Sequence, residues 1–238
     1  MSITRRVTAL LLVAGAVLAN VAFIGLGSVF DYPDVLQQPA AQVLQKFAAD
    51  QGSIVTLFFV LAVGAGLLAP VAVLVGRLDR SRLGRWSVRV GIAAASVQVI
   101  GLLRWPLFVP SLAARATDPA AAAATRADAT DTFEVLHTVL GTVVGETFGY
   151  LLTALWTVLV VLAIGRRIAG RWFAGLGLSS AGLILMGVAV PIGLPGADLA
   201  NFVGYIFWSL WLIGFAVLLW RRPVRQATHP AGAHRQAT

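Results

Sequence analysis

Long apolar stretches separated by short polar segments run along the chain from its start to residue 220. Each of six stretches has the roughly 20 residues that an α-helix needs to cross a hydrocarbon core about 30 Å thick. We expect six membrane-spanning helices at residues 7–30, 53–76, 88–112, 132–165, 172–194 and 201–220. The pattern therefore predicts an all-α, polytopic membrane protein.

The composition agrees with this pattern. Of the 238 residues, 58% are hydrophobic and 12% are charged, which is too few charges for the surface of a soluble domain. The chain has no cysteine, which excludes disulfides, thiol catalysis and cysteine-ligated metals. We expect residues 1–222 to form one transmembrane domain and the polar residues 223–238 to be a disordered cytoplasmic tail.

The charged residues are distributed unevenly between the two sides of the membrane. Fourteen arginines lie in or beside the segments on the side of the termini, whereas the opposite segments hold three basic residues and eight acidic ones. The positive-inside rule then places both termini in the cytoplasm. The pI near 11.4 is therefore explained by topology, and we expect no nucleic-acid partner.

The second half of the chain contains an internal similarity. The tripeptide GRW occurs at 84–86 and 170–172, and the spans that return share GYxxxxLW at 149–156 and 204–211. Glycines follow each GRW at the same two offsets, as Gly91, Gly101, Gly177 and Gly187. We interpret spans 3–4 and 5–6 as tandem copies of one hairpin. The alternative is chance recurrence of an interfacial anchor.

Away from the ends of the expected spans there are two charged residues, Arg104 in the third and Glu146 in the fourth. An arginine without a partner near the middle of the bilayer costs at least about 2.5–3.5 kcal/mol. At 1.5 Å per residue the two side chains lie at overlapping depths, and their helices belong to one hairpin. We therefore predict a buried Arg104–Glu146 ion pair in the outer half of the bundle.

Other polar side chains are expected near this pair. At about 100° per residue Tyr150 shares a face with Glu146, while Gln98 lies deeper in the third span. Asn20 lies at a comparable distance from the outer side, and Asn201 is the counterpart of Glu146 in the repeat. The candidate polar core or ligand site is therefore Arg104, Glu146, Tyr150, Gln98, Asn20 and Asn201.

Three further features of the spans carry expectations. Gly141, Gly145 and Gly149 recur every four residues, a spacing that lets another helix approach closely. His137 lies about 180° around the helix from Glu146 and is expected to be interfacial. The tryptophans are expected to anchor the membrane interfaces, except Trp208 and Trp211, which lie deeper and are expected to pack in the core.

The polar core has two interpretations. It is either a binding site for a polar or anionic ligand, such as a lipid headgroup, a quinone-like molecule or a small metabolite, or a buried pair that fixes hairpin register. No catalytic motif occurs, so we expect no catalytic residue, metal or cofactor. We favour a ligand- or lipid-binding component, or a subunit of a membrane complex. The alternatives are a small-solute transporter and an intramembrane enzyme that uses Glu146 as acid and base.

The stretches LLRWPLFVP, GETFGYLLTALW and NFVGYIFWSLW resemble the bacterial integral membrane proteins grouped as domain of unknown function family 4386. The resemblance covers most of residues 5–222. It implies a six-helix protein of the bacterial cytoplasmic membrane and supplies no activity. The bilayer is then the expected partner, together with a polar or anionic small molecule or lipid near Arg104. A protein partner and a homo-oligomer both remain open.

Overall fold

The computed structural model describes residues 3–79, 81–165 and 170–221, and the expected tail at 223–238 lies outside them. Within these residues the chain is helical and forms no strand. The helical segments are α1 (Ile3–Phe30), α2 (Ala40–Ala49), α3 (Gln51–Gly76), α4 (Arg82–Thr117), α5 (Ala123–Gly165), α6 (Arg171–Ile192) and α7 (Ala197–Arg221). A 3₁₀ turn at Asp34–Gln37 precedes α2.

Six of these segments are long and apolar enough to cross a membrane, namely all except α2. The prediction of six spanning helices is therefore confirmed. The largest difference in bounds concerns α5, which begins at Ala123 and not near residue 132. The preceding alanine-rich sequence has high helix propensity, so the helix extends well beyond the apolar stretch.

The spanning helices pack in a closed ring. α1 contacts α3, and each later spanning helix contacts the next one in the chain. The ring closes because α7 packs against α1. The short helix α2 covers the ring at the end where α1 finishes, with Val43, Leu44 and Phe47 buried beneath it. We call this end the α2 side and the opposite end the terminal side.

Two separate apolar clusters fill the ring. The terminal-side cluster contains residues from every spanning helix, among them Leu12, Val71, Trp156 and Trp211. The α2-side cluster is formed by α1, α2, α3, α4 and α5. Its centre is aromatic and consists of Phe30, Phe47, Phe58, Trp105 and Phe133.

The tryptophans divide between core and surface differently from the prediction. Trp105 and Trp156 are fully buried, so their expected placement at the interface is wrong. Trp105 stacks on Phe58 with ring centroids 4.7 Å apart. Both rings belong to the cluster that α2 covers, so Trp105 lies inside the protein and not at its surface. Trp211 is buried as expected, whereas Trp86 is about half exposed.

Four helices depart from regular α geometry, and in α3 the departure is a break at Leu67. α4 is interrupted at Phe108, between Pro106 and Pro110, which have no N–H to donate to the preceding turn. α5 is a π-helix from His137 to Phe148. α6 ends in a 3₁₀ segment, Met186–Ile192. Such irregular stretches mark places where the chain is under packing constraint.

The hairpins α4–α5 and α6–α7 make matching contacts. A Cβ added to Gly91 would lie 2.7 Å from the Trp156 ring, and one added to Gly177 would lie 2.7 Å from the Trp211 ring. These glycines and tryptophans correspond in the internal similarity. Deeper in the interface, Gly149 faces Gln98 and its counterpart Gly204 faces Ile184.

Candidate functional site

A layer of polar side chains lies between the two apolar clusters. On α4, Ala95 belongs to the terminal-side cluster and Trp105 to the α2-side cluster, and the polar residues of that helix lie between them. Electrostatic interactions connect charges and hydroxyls from α4, α5, α7 and the loop after α1. We call this set the polar layer: Tyr32, Gln98, Arg104, His137, Glu146, Tyr150 and Tyr205.

The guanidinium of Arg104 is at the centre of this layer and is almost fully buried, with 3% of the residue exposed. Its Nη1 donates to the carbonyl oxygen of Gly101 at 2.6 Å, and its Nη2 lies 3.4 Å from Nδ1 of His137. The group also lies over the Trp105 ring, 5.1 Å from the centroid. Nε is buried and has no hydrogen-bond partner among the described residues. Arg104 is therefore a buried cation with incomplete hydrogen bonding.

Glycines on α5 make room for this cation. A Cβ on Gly141 would lie 2.8 Å from Nη2 of Arg104, so only glycine leaves space for the guanidinium. One turn deeper, a Cβ on Gly101 would lie 2.6 Å from the Cα of Gly145. The two backbones are therefore in contact, as the glycine spacing on α5 predicts.

The predicted Arg104–Glu146 ion pair is wrong as a direct contact. Across the described ranges the salt bridges are Lys46–Asp31 and Arg115–Asp128, and no Arg104 nitrogen lies within 4.0 Å of a Glu146 oxygen. Glu146 still interacts with Arg104 through its charge. The two charges thus share one layer without neutralising each other by contact.

The π-helix explains how His137 can lie on the same side of α5 as Glu146 and contact Arg104. In an α-helix, at about 100° per residue, the nine residues from His137 to Glu146 would place them on opposite faces. A π-helix closes i→i+5 hydrogen bonds, so it advances by less than about 90° per residue and brings the two toward one face. The expected separation of about 180° between His137 and Glu146 is therefore wrong, whereas an interfacial position for His137 stays a prediction. The residues give no periodic signal for a π-helix, so the sequence could not reveal this contact.

The remaining predicted residues make defined contacts. Gln98 donates to the Thr153 hydroxyl at 2.9 Å, and the Tyr150 ring meets the Tyr205 ring edge-on at 6.0 Å. Asn201 donates to the Ile184 carbonyl oxygen at 2.7 Å. Asn20 donates to the Ser209 hydroxyl at 2.9 Å, between α1 and α7. Glu146 and Tyr150 therefore interact electrostatically with Arg104, and Gln98 links α4 to α5. The two asparagines hydrogen-bond other helices to one another.

Two tyrosines were not predicted as members of the layer. Tyr205 lies on α7, within the GYxxxxLW motif, and its pairing with Tyr150 could have been found from the internal similarity. Tyr32 lies in the loop after α1, where no pattern indicates an inward side chain. The pKa of Tyr32 is raised to about 12, mainly by burial and also by the charge of Glu146, while the charge of Arg104 opposes the rise. Tyr32 is therefore a neutral hydroxyl donor at physiological pH, and all three tyrosines of the chain belong to the layer.

A pocket of about 250 Å³ opens on the α2 side, between α2 and the start of the π-helix. Its polar lining is Gln38, Glu134, His137 and Thr138, and apolar residues including Val43 and Phe133 complete it. His137 therefore belongs to both the pocket and the polar layer. Within the described ranges there is no group of three or more side chains suited to hold a metal ion.

Comparison with known proteins gives one relationship. No curated protein and no solved structure matches the chain. A family model described as Domain of unknown function (DUF4386) matches residues 7–221, which include nearly all of the spanning helices and the polar layer. The chain, with its six helices long and apolar enough to cross a membrane, therefore belongs to the DUF4386 family.

Proposed function

We propose that this protein binds a small polar ligand with an anionic group in the polar layer, against Arg104. The observation that carries the proposal is the buried guanidinium, which has an Nε without a partner and no carboxylate in contact. A cation buried in a membrane bundle is costly unless it is paired. The negative charge of a ligand held in or beside the polar layer would offset that cost.

If no ligand binds, the buried charge of Arg104 must be compensated by the protein itself, mainly by Glu146. In that case the charge of Glu146, acting over more than 4.0 Å, and the carbonyl of Gly101 would suffice for Arg104. The unpartnered Nε argues against this interpretation, because buried polar atoms are almost always hydrogen-bonded. The experiment below separates the two.

A transporter is the second candidate, and one observation favours it. The terminal-side cluster closes the bundle with buried tryptophan and phenylalanine side chains, whereas a pocket adjoins the polar layer from the α2 side. A site near the middle of the membrane that is approached from one side is the arrangement expected of one state in alternating access. Uptake of a bound ligand into proteoliposomes would distinguish transport from binding.

The orientation and location form part of the same proposal. The excess of arginine on the terminal side supports cytoplasmic termini, so the α2 side would face outward across a bacterial cytoplasmic membrane. The matching glycine–tryptophan contacts of the two hairpins support an origin by tandem duplication. A reporter fused after residue 221 and a second one in the α2 loop would test the orientation.

The test of ligand binding measures thermal unfolding of the purified protein by tryptophan fluorescence. Short carboxylates and inorganic phosphate are the probes, and chloride at equal ionic strength is the reference. A ligand at about ten times its Kd stabilises the folded state by about 1.4 kcal/mol. We expect such an anion-specific shift in the wild type and its loss in Arg104→Gln.

Arg115→Gln is the matched control, because Arg115 forms an exposed ion pair with Asp128. It should respond to the probes as the wild type does. Equal shifts in Arg104→Gln and in the wild type would contradict binding at Arg104. The absence of a shift with every probe in the wild type would favour the interpretation without a ligand.

A further inference from the structure

We propose that the pocket on the α2 side is the recognition site for a zwitterion of amino-acid size. Its carboxylate would be held at His137, with Arg104 behind it, and its ammonium group at Glu134. This inference rests on the proposed function, because it identifies the class of ligand that an anion site at Arg104 would take.

The anionic end of the ligand is assigned by the contact between Arg104 and His137. A guanidinium can only donate hydrogen bonds, so Nδ1 of His137 must accept from Nη2 of Arg104. The neutral imidazole then carries its proton on Nε2 and offers that N–H as a donor. Among the described residues, Nε2 of His137 has no hydrogen-bond partner. His137 therefore presents a free donor, polarised by the cation behind it, at the wall of the pocket.

The cationic end of the ligand is assigned by Glu134. Glu134 and His137 are three residues apart, a spacing that places side chains on one helix face, and both line the pocket. Glu134 is the only lining residue with a permanent charge. Glu134 would repel a purely anionic ligand. It would attract the ammonium group of a zwitterion in which one α-carbon separates the ammonium from the carboxylate. The side-chain amide of Gln38 and the hydroxyl of Thr138 add hydrogen-bonding groups.

The size and surroundings of the pocket limit the ligand further. About 250 Å³ is below the range of roughly 300–1,000 Å³ typical of sites for drug-sized molecules. Leu36, Val43 and Phe133 form its apolar wall and would accept a short aliphatic side chain. The pocket therefore fits a small amino acid or a related zwitterion and not a lipid.

The experiment uses three probes of nearly the same shape: alanine, propionate and ethylamine. Alanine has both charged groups, and each of the others has one. Binding to the full-length protein in lipid nanodiscs is measured by calorimetry and by thermal shift. We expect alanine to bind about threefold to tenfold more tightly than propionate, and ethylamine to bind more weakly than both. The preference is modest because the Glu134 side chain is exposed.

Two pairs of variants locate the site. Glu134→Gln should remove the preference for alanine over propionate, while Asp128→Asn, an exposed acid on the same helix, should leave it unchanged. The chain has no cysteine, so a single one can be labelled selectively. A bulky thiol reagent on Thr138→Cys should abolish alanine binding, whereas the same label on Thr125→Cys, an exposed threonine of α5 that does not line the pocket, should not.

The outcomes separate this inference from the proposed function. Propionate that binds as tightly as alanine, with both lost in Arg104→Gln, would overturn the zwitterion and leave the anion site standing. Alanine binding that depends on Glu134 but survives in Arg104→Gln would overturn the anion site. Binding that is unaffected by the label at Thr138→Cys, or no binding of any probe, would overturn the pocket as the recognition site.

Discussion

The hairpins α4–α5 and α6–α7 use one packing scheme with different polar groups. In both, a glycine on the first helix receives a tryptophan from the second, and both tryptophans are fully buried. In α6–α7 the polar position is Asn201, whose amide donates to the Ile184 carbonyl oxygen. In α4–α5 the equivalent position is Glu146, which faces Arg104 without touching it. At this position the second hairpin satisfies its polar group internally, whereas the first holds a carboxylate that makes no ion pair with Arg104.

The second helices of the two hairpins, α5 and α7, also differ in backbone geometry. α7 is regular from Ala197 to Arg221, while α5 changes to a π-helix over the stretch that contains both His137 and Glu146. Single π-turns within helices often occur at functional sites, because they redirect side chains. In α5 the departure from α geometry therefore coincides with the stretch that contains the charged residue of the polar layer.

The largest expected effect comes from closing the space between α4 and α5. In Gly101→Ala the new Cβ would lie 2.6 Å from the backbone of Gly145, and backbone cannot move aside cheaply. We expect a loss of at least about 2–3 kcal/mol in the free energy of unfolding. Gly187→Ala should cost less, because the new Cβ meets the side chains of Asn201 and Tyr150.

The quantity measured is the fraction of protein that remains folded after heating, and size-exclusion chromatography determines that fraction. Gly182→Ala is the control, since a Cβ there has no neighbour within 4 Å and alanine favours helix by up to about 1 kcal/mol. If Gly101→Ala proved as stable as Gly182→Ala, the close contact between α4 and α5 would be wrong.

The next largest effect is expected when charged residues of α4–α5 are replaced by the residues at the equivalent positions of α6–α7. Glu146→Asn leaves the Arg104 cation without its nearby carboxylate, and a guanidinium cannot lose its proton in a protein. We expect a cost of about 2–3 kcal/mol at an effective dielectric constant near 20. Arg104→Val should cost less, because a carboxylate left alone can bind a proton. The double variant should recover most of the loss seen in Glu146→Asn.

Chemical denaturation of these three variants in the same lipid or detergent gives the comparison. Equal losses in the two single variants, with strong coupling in the double, would instead indicate a direct ion pair. Full additivity would indicate that the two charges do not interact.

The smallest effect concerns the two matching tryptophans. Nε1 of Trp211 donates to the Phe173 carbonyl oxygen at 3.1 Å, whereas Nε1 of Trp156 is buried with no partner in the described part of the chain. Replacement by phenylalanine removes similar volume at both sites, so the packing losses should be similar. Trp211→Phe should therefore lower the free energy of unfolding by about 1 kcal/mol more than Trp156→Phe. Equal losses would show that the hydrogen bond contributes nothing.

The residues that the sequence predicts well share one property, which is a strong pattern along the chain. The spans follow from unbroken apolar stretches, and the helix contact at Gly145 follows from glycine at four-residue spacing. Arg104 was found because a charge within an apolar stretch is conspicuous. Its contact with His137 was missed because the angular argument assumed α-helix throughout. Tyr32 was missed because a loop has no periodicity from which to infer direction.

The sequence by itself determined the number of crossings, their order and which charges enter the membrane, since the hydrophobic effect depends on composition over about 20 residues. Only the tertiary structure decided which polar groups meet. Closure of the ring by α7 on α1, the cover of α2 and the π-helix of α5 bring side chains from distant segments around Arg104. These contacts depend on small rotations and close packing between helices, which no local pattern specifies.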